Sequence, residues 1–495
     1  MDFLDPKKKR SHTIRLYVGY VLMGIALTIA TLILVFAAYG YGFDRQTGDI
    51  IQNGLILVDA HPESARVLVN GEDKGVTDSR LVLPADRYTI ELRRDGYRSW
   101  KRDVDLEGSS IEQLVYPFLY PERLVSKTLQ TYEAIPMMAS ESPDRKWLVI
   151  SVPAAVGSFQ VIDLGDDEHP VTTVGLPADT LTTTSNVHRF EEVEWSTDNS
   201  HLLIKHTFET GSEFIMLDRQ NPANSVNLNK VFSTTTFNAV TLRDKKFDQL
   251  HLHNTADGAL YFGESRTRNV TRIRDGVVAY KSYLDDTILY VTHPANTELA
   301  EVRIRQDDQD FLVRTVTKSD VYFLDMARFN DNFYLVAGSK TDSRAYIYRD
   351  PFASLTRKPS RTPQPFRVLI TPGAEYVSFS AIARFIALQG GSSFAVYDAE
   401  TGRQFRYDTK LTLLPAQKAT WMDGHRLVLN SQNNIHVFDF DGTNQHLLTS
   451  ALPGFKPFFD RDYLALFTLA PDTAAPTKVN LSRTELKVLT ENTTN

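Results

Sequence analysis

The chain has 495 residues, of which 42% are apolar, with no cysteine and a formal net charge of −7. That length supports two or three domains with large ordinary cores, and the missing thiols exclude a disulfide framework, lipoprotein processing and any cysteine chemistry. Residues 1–15 hold five basic and two acidic groups, so the remainder carries about ten net negative charges. Such a balance argues against general nucleic-acid binding, which needs lysine and arginine to displace counterions.

The first predicted element is a membrane-spanning helix. Lys7, Lys8, Lys9, Arg10 and Arg15 precede a stretch without charge from Leu16 to Phe43. Crossing the hydrocarbon core takes about 20 apolar residues, and only a helix pairs every backbone N–H within one span. Tyr17 and Tyr20 at one end, with Tyr39 and Tyr41 at the other, sit where amphipathic rings favour the interface. The basic excess before the span predicts that residues 1–15 are cytoplasmic, that residues 16–43 cross the cell membrane once as the contact with the lipid bilayer, and that the bulk of the chain is extracytoplasmic. A signal peptide has an apolar region of only about 7–15 residues, and Phe36-Ala37-Ala38 is a poor cleavage site, so the reading is an uncleaved anchor.

A polar stalk over residues 44–53 leads into a module at 54–120 with period-two patterning. Its runs are Leu55–Val58, Ala65–Val69, Leu81–Leu83, Tyr88–Leu92, Trp100–Leu106 and Ile111–Leu114. Short alternating runs at about ten-residue spacing predict a compact, sandwich-like antiparallel β fold. Asn70-Gly71 between two runs predicts a tight hairpin turn whose two central residues both take positive φ.

The ordered string Pro62-Glu63-Ser64-Ala65, Val67-x-Val69-Asn70-Gly71, Gly75-x-Thr77, Leu81-x-Leu83-Pro84, Tyr88-Thr89-Ile90 and Gly96-Tyr97 resembles the PEGA domain, a small β module of bacterial surface proteins. This sequence departs from that pattern at Ser64, which replaces the name-giving glycine, at Asp78, where proline is usual, and at Asp86, where a glycine is expected. A left-handed backbone at Asp86 would tolerate aspartate. The resemblance implies an extracytoplasmic adhesion or spacer module without a catalytic set. Its motif residues, Pro62, Ala65, Asn70, Gly71, Gly75, Thr77, Pro84, Tyr88, Gly96 and Tyr97, then have structural roles.

A linker at 121–134 is followed by a repeating region at 135–485 and a polar tail at 486–495. Eight pairs of strand-like runs recur, from Trp147–Val152 with Phe159–Asp163 to Tyr463–Leu466 with Lys478–Leu481, at intervals between 41 and 54 residues. A period of about 40–50 with several short strands per unit predicts a β-propeller of seven or eight blades. Ser142-Pro143-Asp144-Arg145-Lys146-Trp147 and Trp195-Ser196-Thr197-Asp198-Asn199 resemble the turn signature of TolB-like and WD40-like propellers. Asp398-Ala399-Glu400-Thr401-Gly402 and Asp439-Phe440-Asp441-Gly442-Thr443 close later units in the same manner.

The fold class is therefore an all-β ectodomain behind one N-terminal transmembrane helix. No Gly-x-Ser-x-Gly elbow, His-Glu-x-x-His, P-loop or dinucleotide fingerprint occurs, so no catalytic residue, metal or cofactor is assigned. His251 and His253 share one face of a strand and are read as solvent-facing. Asp163, Asp166, Asp167, Glu168 and His169 are read as a solvated inter-blade turn, and Arg357–Arg367, with Pro359, Pro363 and Pro365, as an extended inter-blade connection. The functional expectation is a non-catalytic envelope protein presenting its propeller to a protein or glycan partner. An enzyme acting on glycan or peptide in the propeller channel, and a plain structural spacer, are the alternatives.

Overall fold

The computed structural model describes residues 6–38, 41–43, 50–182, 186–284, 287–306, 309–357, 362–413 and 417–488. Tyr39, residues 44–49 of the stalk, Pro359 and most of the tail, 489–495, lie outside them. The chain divides into two compact units, Met1–Arg123 and Leu124–Asn495.

In the first unit, helix α1 runs from Pro6 to Ala38. Its segment Thr13–Phe36 has mean hydropathy 2.4 and none of it is buried by protein, so it is long and apolar enough to cross a membrane. Two threonine hydroxyls fall in the C-terminal half of that segment. Thr28 and Thr31 donate them to the carbonyls of Gly24 and Leu27, one turn earlier, at 2.9 and 2.8 Å, so both are satisfied within the helix without water. The helix stops short of the expected span end. Tyr41–Phe43 instead forms a strand paired with Ile50–Gln52, so the end of the stalk is also strand.

Among the described residues, the module after the helix is two four-stranded sheets. Ile50–Val58 pairs antiparallel with Tyr41–Phe43 and with Ser79–Pro84, and parallel with Ile111–Leu114. The second sheet is antiparallel in the order Glu72–Val76, Arg66–Val69, Asp86–Arg93, Trp100–Leu106. Alternation places Ile56, Val58, Val67, Ile90, Leu92, Trp100, Val104 and Leu106 in the core.

Asn70 (φ 49°) and Gly71 (φ 87°) make the predicted hairpin turn. Asp86 does not take the left-handed backbone suggested for it: it opens a strand, paired with Leu106, and its carboxylate accepts from the Arg87 N–H. The left-handed residue is Ser64 (φ 61°), at the position of the family's glycine.

Among the described residues, the second unit is a propeller of eight four-stranded antiparallel sheets. Blades 1 to 7 occupy 138–175, 188–227, 239–274, 277–317, 322–370, 376–408 and 420–450. Blade 8 combines Phe458–Phe459, Ala465–Pro471 and Val479–Glu485 with a strand from the other end of the unit, Ser126–Tyr132. The stretch read as a linker therefore supplies the strand that closes the ring. Each predicted hairpin is the middle pair of a blade.

Those middle strands are apolar along their length because neighbouring blades cover both faces of each sheet, as in Phe385–Gly390, where every residue is buried. Closure is packed as well as paired: Leu148, Ile150 and Ile162 of blade 1 share a core with Phe458, Phe467 and Leu481 of blade 8.

Candidate ligand site in the propeller channel

The innermost strand of each blade borders the axis, and polar groups tie these strands to their neighbours. Trp195 Nε1–H donates to Ser140 Oγ at 2.7 Å, and the Leu242 N–H to Glu194 Oε2 at 2.7 Å. Thr241 and Tyr280 share a hydroxyl bond of 2.9 Å, Trp421 Nε1–H donates to Ser378 Oγ at 3.0 Å, and the Phe459 N–H to Glu141 Oε1 at 2.7 Å. Burial pushes the Glu141 carboxyl up to about 8, against that N–H and the charges of Lys456 and Arg145.

A cavity of about 800 Å³ lies where the chain enters the inner strands of blades 1, 2, 7 and 8. Its lining includes Met138, His188, Arg189, Glu191, Lys418 and Asn430. Lys456 of blade 8 pairs with Glu192 of blade 2 at 3.1 Å, so these two charges satisfy each other. Arg189 and Lys418 are exposed and have no hydrogen-bond or ion-pair partner among the described residues. Glu191 stands opposite Lys205 in the ladder.

One row of side chains leads from the blade interior to this cavity. Phe190, His206 and Glu213 sit directly opposite one another on three adjacent strands of blade 2. His206 is fully buried, and its Nδ1–H donates to Glu213 Oε1 at 2.8 Å. Glu213 also accepts from the Thr182 N–H at 2.7 Å, the Thr182 hydroxyl at 3.0 Å and Asn227 Nδ2 at 2.7 Å. Burial alone would raise this carboxyl; the hydrogen bonds from His206, Thr182 and Asn227 outweigh it and hold it down at about 2.

At the other end, His206 Nε2 meets His188 Nδ1 at 2.9 Å. The ring centres are 5.2 Å apart with planes 13° apart, which fits an in-plane N–H···N bond better than a face-to-face stack. Phe190 covers His206, with ring centres 4.7 Å apart.

The residues singled out from sequence are elsewhere. His251 and His253 are not solvent-facing but buried, 2% and 3% exposed, against Tyr280. His253 bonds to the Val277 carbonyl at 2.8 Å, and burial, with the Arg243 charge, pushes His251 down to about 4. The acidic loop lies between two strands of blade 1, not between blades, and Asp163 and Asp166 accept from the N–H groups of Gly165 and Glu168. The segment from Arg357 likewise connects two strands of blade 5, and Arg357 ends the short helix Phe352–Arg357. Among the described residues no group of three or more His, Asp or Glu is arranged to hold a metal ion.

In the β module, Ala65 and Thr77 lock each other: the Ala65 N–H donates to Thr77 Oγ1 at 3.1 Å and the Thr77 N–H to the Ala65 carbonyl at 2.8 Å. Asn70 Oδ1 accepts from the Thr89 N–H, and the Tyr88 hydroxyl donates to the Pro84 carbonyl. Gly75 and Gly96 have positive φ, Tyr97 is buried under Arg94, and Pro62 follows His61, which bridges to Phe118.

Residues 53–115 match the PEGA domain model. No curated protein matches the chain. Among solved structures, the chain is similar to the Dos1 propeller at 12% identity and TM-score 0.44, over 72% of this chain and 94% of that one. It is also similar to Hsv2 of Kluyveromyces lactis (11%, 0.38, 71% and 99%) and to oligogalacturonate lyase from Vibrio parahaemolyticus (10%, 0.37, 73% and 98%). None of these likenesses bears on what this chain binds.

Proposed function

We propose that this chain is a non-catalytic, membrane-anchored protein of the cell envelope whose propeller holds a protein or glycan partner at the channel cavity. The observation that carries the reading is the cavity itself, about 800 Å³, with Arg189 and Lys418 on its lining and unpartnered among the described residues. Concave sites of this size with a few convergent polar groups are where ligands bind. The uncovered apolar segment Thr13–Phe36 supports an anchor, and the basic residues before it support a cytoplasmic N-terminus.

An enzyme working in the channel is the second reading, favoured by the raised Glu141 carboxyl. That carboxyl accepts from the Phe459 N–H and is not among the residues lining the cavity, which gives it a structural task instead.

The test is retention of envelope components by the full chain in detergent micelles, compared with the double variant Arg189→Ala/Lys418→Ala. Loss of a specific partner in the variant supports the reading. Equal retention by both proteins, or none by either, counts against it.

A further inference from the structure

We propose that the cavity takes an oxyanion ligand, a carboxylate or a phosphate-type group, and that one proton is taken up as it binds, with His188 meeting the ligand and the Glu213–His206 pair balancing the added charge. This rests on the cavity being the ligand site.

The reasoning starts from Glu213. An ionised carboxylate only accepts hydrogen bonds, so His206 must carry its hydrogen on Nδ1. With His206 neutral, its Nε2 is an acceptor, and the 2.9 Å contact requires a hydrogen on His188 Nδ1. His188 Nε2 is then left with a lone pair.

A proton arriving from solvent binds that Nε2. The hydrogen on His188 Nδ1 then lies between two imidazoles and can pass to His206 Nε2, which places an imidazolium directly on the Glu213 carboxylate. Only N–H bonds are made and broken, and the charge gained is countered inside the blade. The cavity end changes from hydrogen-bond acceptor to donor, which suits an anion.

Other charges around the row lean the same way. Arg189 and Lys418 are cations on the lining, Lys456 is matched by Glu192, and Glu191 faces Lys205. Glu209 lies in the turn between the strands that carry His206 and Glu213. The blade 1 side contributes apolar groups, Phe159 and Leu181 among them. An arginine fork matches a planar oxyanion, and a charge-assisted bond from His188 would add to it.

The test is calorimetry on the full chain in detergent micelles at about pH 7.5, where an unperturbed histidine is neutral. The probes are succinate and sulfate, run as separate arms in two buffers with different heats of protonation. Binding of either anion with uptake of about one proton supports the proposal, and the arm that binds identifies the ligand chemistry. His188→Gln, at a partly exposed strand start, should weaken binding about tenfold and abolish uptake, as expected for a lost charge-assisted bond. Glu213→Gln should also abolish uptake, with circular dichroism reporting whether it folds.

The proposal is overturned if wild type binds neither anion, if binding occurs without proton uptake, or if His188→Gln retains the uptake. Partner retention in the envelope assay reads out separately, so the cavity can fail here and still hold a macromolecule there.

Discussion

Closure of the ring by Ser126–Tyr132 makes Tyr132 a position where packing and polarity can be separated. The side chain is 5% exposed and packs with Leu148, Ile150, Phe467 and Leu481, spanning blades 1 and 8. Its hydroxyl is buried without a partner among the described residues, and burial pushes the phenol well above its ordinary value. An unsatisfied buried hydroxyl costs about 1–3 kcal/mol, so Tyr132→Phe should stabilise the propeller by about 1 kcal/mol.

Truncation to alanine removes the whole ring. Large aromatic deletions in cores cost about 3–5 kcal/mol, and relief of the hydroxyl offsets part of that, leaving about 3 kcal/mol for Tyr132→Ala. Thermal unfolding of the full chain in micelles reads both changes, and hydrogen exchange over Val479–Glu485, the partner strand, should quicken in the alanine variant alone. A phenylalanine variant less stable than wild type would refute the orphan hydroxyl. An alanine variant within about 1 kcal/mol of wild type, with exchange over Val479–Glu485 unchanged, would refute the role in closure.

Three further outcomes are expected. Gly71→Ala places a side chain at φ 87° and should cost the β module about 1 kcal/mol, read as faster exchange over Arg66–Val76. His251 has a folded value of about 4, below its unfolded value of about 6.5, so its contribution is full above about pH 6.5 and is lost as pH falls toward 4. That loss is on the order of 3 kcal/mol, and His251→Phe should flatten the stability curve in that window; an unchanged curve would show that the burial is not felt. Glu141 has a folded value of about 8, above its unfolded value of about 4.5, so its contribution is full below about pH 4.5 and is lost as pH rises to about 8. Glu141→Gln can still accept from the Phe459 N–H but cannot ionise; at about pH 8 it should exceed wild type by on the order of 4 kcal/mol, and denaturation at pH 4.5 should show no gain.

The blades are legible in the sequence because their middle strands are covered on both sides. Runs such as Phe385–Leu388 and Leu427–Leu429 carry the burial of two interfaces, so they stand out as unbroken apolar segments. Inner and outer strands do not. Thr420–Trp421 and Phe458–Phe459 are two residues each, and Gln404–Asp408 alternates between exposed and half-buried positions. Ser126–Tyr132 reads as a linker for a related reason. Its residues from Ser126 to Thr131 are polar or partly exposed, and only Tyr132 is buried, so nothing local distinguishes an outer strand from a linker. Its partner lies at the far end of the unit, and no local pattern records a pairing at that separation. His251 and His253 read wrongly as surface groups because histidine on a strand suggests solvent, whereas both faces of these sheets are covered.

The row ending at His188 is only partly hidden. Leu202, Ile204 and His206 have the same parity on one strand, and Glu213, Ile215 and Leu217 on the next, so each strand puts one polar residue on a buried face. The hairpin turns at Glu209 and Thr210, with Phe208 opposite Gly211, and counting back from the turn sets His206 opposite Glu213. A buried histidine facing a buried carboxylate is therefore readable from parity and turn position together. His188 is not. It lies on the far side of the 196–200 turn, and a register shift between Glu192 and Glu194 breaks the count along its strand. Parity carried across that bulge gives the wrong face, so the contact that opens the row to the cavity exists only once the three strands are assembled.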